Sequence, residues 1–206
     1  MSGFPISLNA ESVSALVVGG GAVATRKALA LLAAGARVRV IAPEVSDALS
    51  AREGEDENLE IVRRDYAGPP DIGNASLVIA ATSAKSVNAR VSTDACNAHR
   101  LVNVVDAPAT GSFTTMAVHR TGDVTIGVST GSVPTAAQRI RDSFAVRIDA
   151  RYAEAIAACA ALRARALKPD GSGTRPWADL HPRLIAEDFC GSVEDGSFAA
   201  RVARCR

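Results

Sequence analysis

Aromatic side chains are scarce in this sequence, at 4% of 206 residues. A core must therefore be built from Ala, Val, Leu and Ile, and the 48% hydrophobic content is enough to build one. An excess of one charge is also missing: 23 basic residues face 22 acidic ones, for a net charge of +1. That excludes a global field for nucleic acid, so no nucleic-acid partner is expected and any anion site must be local. Cysteine is sparse. Cys96, Cys159, Cys190 and Cys205 form no Cys-x-x-Cys motif, and His99, His119 and His181 are scattered. This excludes a conventional zinc site, and no metal site is expected. The cysteines read as reduced thiols rather than a disulfide frame. No apolar run approaches a membrane span, and the opening MSGFPISLNA lacks the basic start and apolar stretch of a signal peptide. The expectation is a cytoplasmic protein without membrane contact.

What is present is a repeating alternation of short apolar runs and helical stretches. Residues 15–18, 37–41, 59–62, 77–81 and 101–105 read as five strands. Residues 22–34 and 84–98 read as helices, the first stopped by Gly35. Strands alternating with helices over short connections predict an α/β fold, a Rossmann-like doubly wound parallel sheet. After about residue 111 the pattern changes. FTTMAVHR and DVTIGVST read as two strands around a Thr121-Gly122 turn, and a helix follows Pro134. Residues 150–167 form an Ala-rich helix with Tyr152, Ile156, Cys159 and Ala166 near one stripe. KPDGSGTRPW at 168–177 is a turn-rich break before a small helical or partly mobile lobe.

One segment carries chemistry. Gly19-Gly20-Gly21-Ala22-Val23-Ala24 fits Gly-x-Gly-x-x-Ala between a strand and a helix. In that motif Gly19 makes the sharp turn, Gly21 lets the backbone approach a pyrophosphate, and Ala24 packs the helix on the sheet. Free amides of the first turn, at Ala22 and Val23, then face the phosphates. The second strand ends in VIAPE, which puts Pro43 and Glu44 beside the ribose, with no Arg directly after the strand for a 2′-phosphate. NAD is therefore the expected cofactor. Glu44 either reaches the ribose or is a solvent-facing loop acid. Thr82, just past the fourth strand, either touches the nucleotide or caps the helix at 84–98. Asp106 closes the fifth strand, at the edge where ligands bind in open α/β sheets. By position alone it is equally a general base or a turn aspartate bonding its own backbone before Pro108. Asn103, two residues earlier, orients substrate or satisfies backbone. Ser129, Thr130, Gly131 and Ser132 precede a helix and either bind substrate carboxylates or cap it.

The stretches FPISLNAESVSALVVGGGAVATRKALALLAAGARVRVIAPE, LVIAATSAKSVNARVSTDACNAHRLVNVVDAP and GVSTGSVPTAAQRIRD resemble the precorrin-2 dehydrogenase module of siroheme synthases. The likeness covers roughly residues 4–145. It implies three parts: an NAD-binding Rossmann domain over 1–113, a small α+β dimerisation segment over 114–149, and a helical C-terminal lobe over 150–206. It implies NAD-dependent oxidation of precorrin-2 to sirohydrochlorin, tetrapyrroles rich in carboxylates. In many members ferrous iron insertion follows at the same site. The match to the family's DAP carries the base role onto Asp106, and a homodimer is implied. Arg139 and Arg141 are ordinary candidates for carboxylate contacts. With no room for the methyltransferase module of long siroheme synthases, the free-standing form is expected. The sequence departs from the family at Met116, where a proline is common, and at Gln138, where an arginine is usual. The competing reading is an NAD-binding sensor or regulatory dimer without catalysis.

Overall fold

The computed structural model describes residues 3–131, 133–167 and 176–205. Ser132 and most of the expected break at 168–177 lie outside the described residues. The chain divides into two compact units, one of residues 4–115 and one of residues 116–206 with the first three residues.

The first unit is a five-stranded parallel sheet in the order β3-β2-β1-β4-β5. Its strands are β1 (Ser14–Val18), β2 (Arg37–Ile41), β3 (Leu59–Val62), β4 (Leu77–Ala80) and β5 (Leu101–Val104). The helices are α1 (Ala22–Ala33), α2 (Asp47–Ser50), α3 (Pro69–Ile72) and α4 (Lys85–Asn97). Alternate residues of the apolar runs feed two cores. Ala15, Val17, Val38, Val40, Leu77 and Ile79 pack with Ala24, Ala28 and Leu32 of α1. Leu16, Val18, Ile41, Val78, Ala80, Val102 and Val104 pack with Ile72 of α3 and Val91 and Ala95 of α4. A sheet covered on both faces needs such near-continuous apolar strands. Gly35 ends α1 as expected. It takes φ +91, its N–H donates to Leu32 O at 2.8 Å, and Ala36 N–H donates to Leu31 O at 3.0 Å, the paired bonds of a left-handed C-terminal cap.

The second unit holds the antiparallel pair β6 (Ala117–Thr121) and β7 (Val124–Val128), then α5 (Pro134–Arg147), α6 (Ala150–Ala166), α7 (Trp177–Leu184), α8 (Phe189–Glu194) and α9 (Phe198–Ala203). The turn is one residue later than expected, at Gly122-Asp123, since Thr121 pairs with Val124. FTTM is not part of the hairpin. Phe113 N–H donates to Val102 O at 3.3 Å, which holds the start of this stretch against β5 in the first unit. The buried stripe of α6 is Tyr152, Ala155, Cys159 and Leu162, packed against Leu180, Leu184, Val193, Phe198 and Val202. Ile156 lies off that stripe, because the 3-4-3 spacing from Tyr152 selects Ala155 instead. The residues expected as a dimerisation segment from 116 on and those of the helical lobe fall in this one unit. Among the described residues, no helix is long and apolar enough to cross a membrane.

Candidate functional site

The strand order reverses at β1, with β2 on one side and β4 on the other, and in open α/β sheets ligands bind beyond the carboxyl ends at such a point. Register aligns three exits from the sheet. Val18 of β1 pairs with Ala80 of β4, and Ala80 pairs with Val104 of β5. Pairing continues one residue further, with Gly19 N–H donating to Ile41 O, Ala81 N–H to Val18 O, and Val105 N–H to Ala80 O. The glycine loop, Thr82 and Asp106 therefore leave the sheet at the same level.

Gly19 has φ +122, and a Cβ there would overlap the Ala81 carbonyl. Only glycine makes this turn so close to β4. Gly20 lies under the loop after β2. A Cβ on it would collide with the Glu44 carbonyl, and its own carbonyl accepts Ser46 N–H at 3.1 Å. The hydroxyls of Thr25 and Ser46 share a bond of 2.8 Å. These contacts seat Pro43 and Glu44, both exposed, against the glycine turn. Gly21 differs: a Cβ on it would meet nothing within 4 Å. It is the N-cap of α1, whose first turn contains no acid and, among the described residues, receives no side-chain cap. Ala22 and Val23 are exposed in that turn, while Ala24 is buried against the sheet. An open surface beside free amides suits a pyrophosphate, so these residues fit a dinucleotide. Further along α1, Lys27 donates to the Thr115 hydroxyl at 3.1 Å. Burial, then Arg26, pulls its pKa below the usual lysine value.

Thr82 and Asp106 are joined by a residue that the sequence did not single out. Asn88, in the first turn of α4, is 1% exposed. Its Oδ1 accepts Thr82 N–H at 3.0 Å and the Thr82 hydroxyl at 2.8 Å. Its Nδ2 donates to Thr82 O at 3.0 Å and to Asp106 Oδ1 at 2.9 Å. Thr82 does not cap α4; that N-cap is Ala84, whose N–H donates to the Thr82 hydroxyl at 3.2 Å. Asp106 is exposed at the end of this chain of bonds. Beyond it, Thr110 N–H closes a turn on Ala107 O at 2.9 Å, and Ser92 of α4 donates to Thr110 O at 2.7 Å.

Asn103 is 5% exposed and donates to Phe113 O at 3.0 Å, while its Oδ1 is buried without a partner among the described residues. Ser129, Thr130 and Gly131 belong to the second unit. Ser129 and Gly131 are exposed, and the Thr130 hydroxyl donates to Val133 O at 2.6 Å rather than accepting from a helix amide. Arg141 pairs with Asp142. Among the described residues, no three His, Cys, Asp or Glu side chains gather as metal ligands would.

A family model described as "Putative NAD(P)-binding" matches residues 6–117, more than half of the chain. The chain belongs to that family. The first unit is thus an NAD(P)-binding unit with the expected Rossmann-like fold. The siroheme synthase of Ectopseudomonas mendocina (strain ymp) is 38% identical over 201 residues, 95% of this chain and 43% of that protein. That of Saccharophagus degradans (strain 2-40) is 34% identical over 196 residues, 93% of this chain and 42% of that protein. The chain therefore spans about two fifths of the length of these curated relatives. A solved structure titled "SirC, precorrin-2 dehydrogenase" is 26% identical, covers 98% of this chain and 99% of its own, and superposes with a TM-score of 0.77. The likeness to the dehydrogenase module of siroheme synthases, first drawn from the quoted motifs, holds at both levels.

Proposed function

We propose that this chain oxidises precorrin-2 to sirohydrochlorin with NAD, as a step of siroheme biosynthesis in the cytoplasm. The observation that carries the reading is the position of Asp106, two residues beyond β5, exposed and level with an open glycine cradle. The similarity to SirC over nearly the whole of both chains supports the substrate.

Gly19, Gly21, Ala22, Val23 and Ala24 would hold the pyrophosphate, with Pro43 and Glu44 at the ribose and Thr82 toward the nicotinamide end. Glu44 and the lack of an Arg directly after β2 favour NAD over NADP. Bound there, NAD supplies the hydride acceptor. The carboxylate of Asp106 takes the proton that must leave the macrocycle with the hydride. Its Oδ1 is occupied by Asn88, and Oδ2 is the oxygen that works as base. Asn103 would orient substrate. In the second unit, Ser129, Thr130 and Gly131 are the candidates for substrate carboxylates. Residues 114–149 would serve the homodimer. The exposed apolar side chains Val133, Ile140 and Phe144 suit that role. Ferrous iron would be a second substrate, the macrocycle supplying the nitrogens and Asp106 accepting their protons.

Precorrin-2 and NAD mixed with the protein should yield the sirohydrochlorin absorbance spectrum. A folded, NAD-binding sample that leaves the spectrum unchanged would favour a sensor without chemistry. Sirohydrochlorin and ferrous iron supplied directly test insertion separately, with siroheme absorbance as the readout.

A further inference from the structure

We infer that Asn88 is a positioning residue, which fixes the carboxylate of Asp106 and the Thr82 segment in one shared geometry. The inference rests on the reading of Asp106 as the base. An amide side chain has two N–H donors and an oxygen with two acceptor sites. Asn88 uses all four, three on Thr82 and one on Asp106 Oδ1. Because Thr82 N–H must meet an oxygen, this network fixes which end of the amide faces Asp106. A buried amide that lost any of these partners would bear a desolvation cost, so the two loops hold or loosen together.

The choice of side chain matters chemically. A lysine or arginine in this place would draw both oxygens of Asp106 into an ion pair. Asn88 is neutral and binds one oxygen, which orients the carboxylate and leaves Oδ2 for a proton. Its helix supplies a second restraint on the same segment. Ser92, four residues on and on the same face, holds Thr110 O at 2.7 Å. Asn88 and Ser92 thus clasp both ends of residues 106–110.

Asn88→Asp is the decisive variant. It keeps the shape and the acceptor for the Thr82 N–H and hydroxyl but sets an oxygen against Asp106 Oδ1, and against the Thr82 carbonyl, in place of the donor. It should lower kcat about tenfold while KM for precorrin-2 stays within about twofold. In an Asp106→Ala background it should lower residual turnover no further. Equal losses in both backgrounds, an unchanged kcat, or a loss confined to NAD affinity would overturn the inference. Asp106→Ala alone as active as the parent would instead overturn the base reading. Should Asn88→Asp fail to fold by circular dichroism, Asn88→Ser in the same two backgrounds carries the same outcomes.

Discussion

Asp106 in the first unit and Glu194 in the second are both held by hydrogen bonds, but in opposite ways. Glu194 is saturated. Arg147 Nε donates to its Oε1 at 2.6 Å, the Tyr152 hydroxyl donates to the same oxygen at 2.8 Å, and a second Arg147 nitrogen reaches Oε2 at 3.4 Å. Arg151 also donates to the Glu194 carbonyl at 2.7 Å. These partners, Arg147 first and Tyr152 next, hold its carboxyl below the usual glutamate range. Among the described residues, Asp106 receives one bond, from a neutral amide, and its side chain is exposed. An acid locked by arginines ties helices together. An acid steered by an amide keeps an oxygen free for chemistry. Asp71 sides with Glu194: Arg64 grips both its oxygens, at 2.9 and 2.6 Å, and Ala67 N–H adds a third bond at 2.7 Å.

This contrast is broken most directly at Asp106. Asp106→Ala should reduce precorrin-2 oxidation by about 10²–10⁴-fold, the usual span for a general base, with NAD binding and Tm near those of the parent. A Tm loss instead of an activity loss would place Asp106 with the structural acids. Next in size is the cradle that faces it. Gly21→Val projects into space where nothing lies within 4 Å, so folding should persist while NAD affinity falls about tenfold or more. Gly20→Ala is the paired control, because its Cβ meets the Glu44 backbone and should cost stability first. Titration of NAD beside thermal melts separates the two.

The structural acids give the smaller effects. Asp71→Ala should cost about 1–3 kcal/mol in urea unfolding of the first unit, the range for hydrogen bonds to a buried charge. Glu194→Gln should lower Tm slightly at neutral pH and leave oxidation unchanged. The pKa of Glu194 is lowered on folding, so its contribution is complete above the ordinary glutamate pKa and disappears as pH falls through the folded value. The gap in Tm between parent and variant should therefore close in acid.

The sheet was legible because β1 and β4 are apolar runs, β2 alternates Arg with Val, and each strand ends near a glycine, a proline or a polar turn. The glycine motif was legible because its spacing sits between strand and helix. The short helices α2 and α3 have four residues each, too few for a periodic pattern. FTTM was misassigned to the hairpin because extended residues look alike whether they pair with β7, as Ala117–Thr121 do, or bond to β5, as Phe113 does. Gly20 gave no warning, since its need depends on the Glu44 carbonyl, far along the chain. Asn88 was missed because a polar residue in the first turn of a helix reads as solvated. Its one signal is spacing: Val91, Ser92 and Ala95, at three, four and seven residues on, are all buried, and that places Asn88 on the inward face.

The bond from Thr82 N–H to Asn88 Oδ1 makes that amide proton a native reporter. It is protected by a side chain rather than by the sheet ladder. Deuterium should enter it when the two loops part, without any strand separating. Its exchange rate, compared with that of the Ala81 amide bonded to Val18 in the sheet, separates local opening of the crevice from global unfolding.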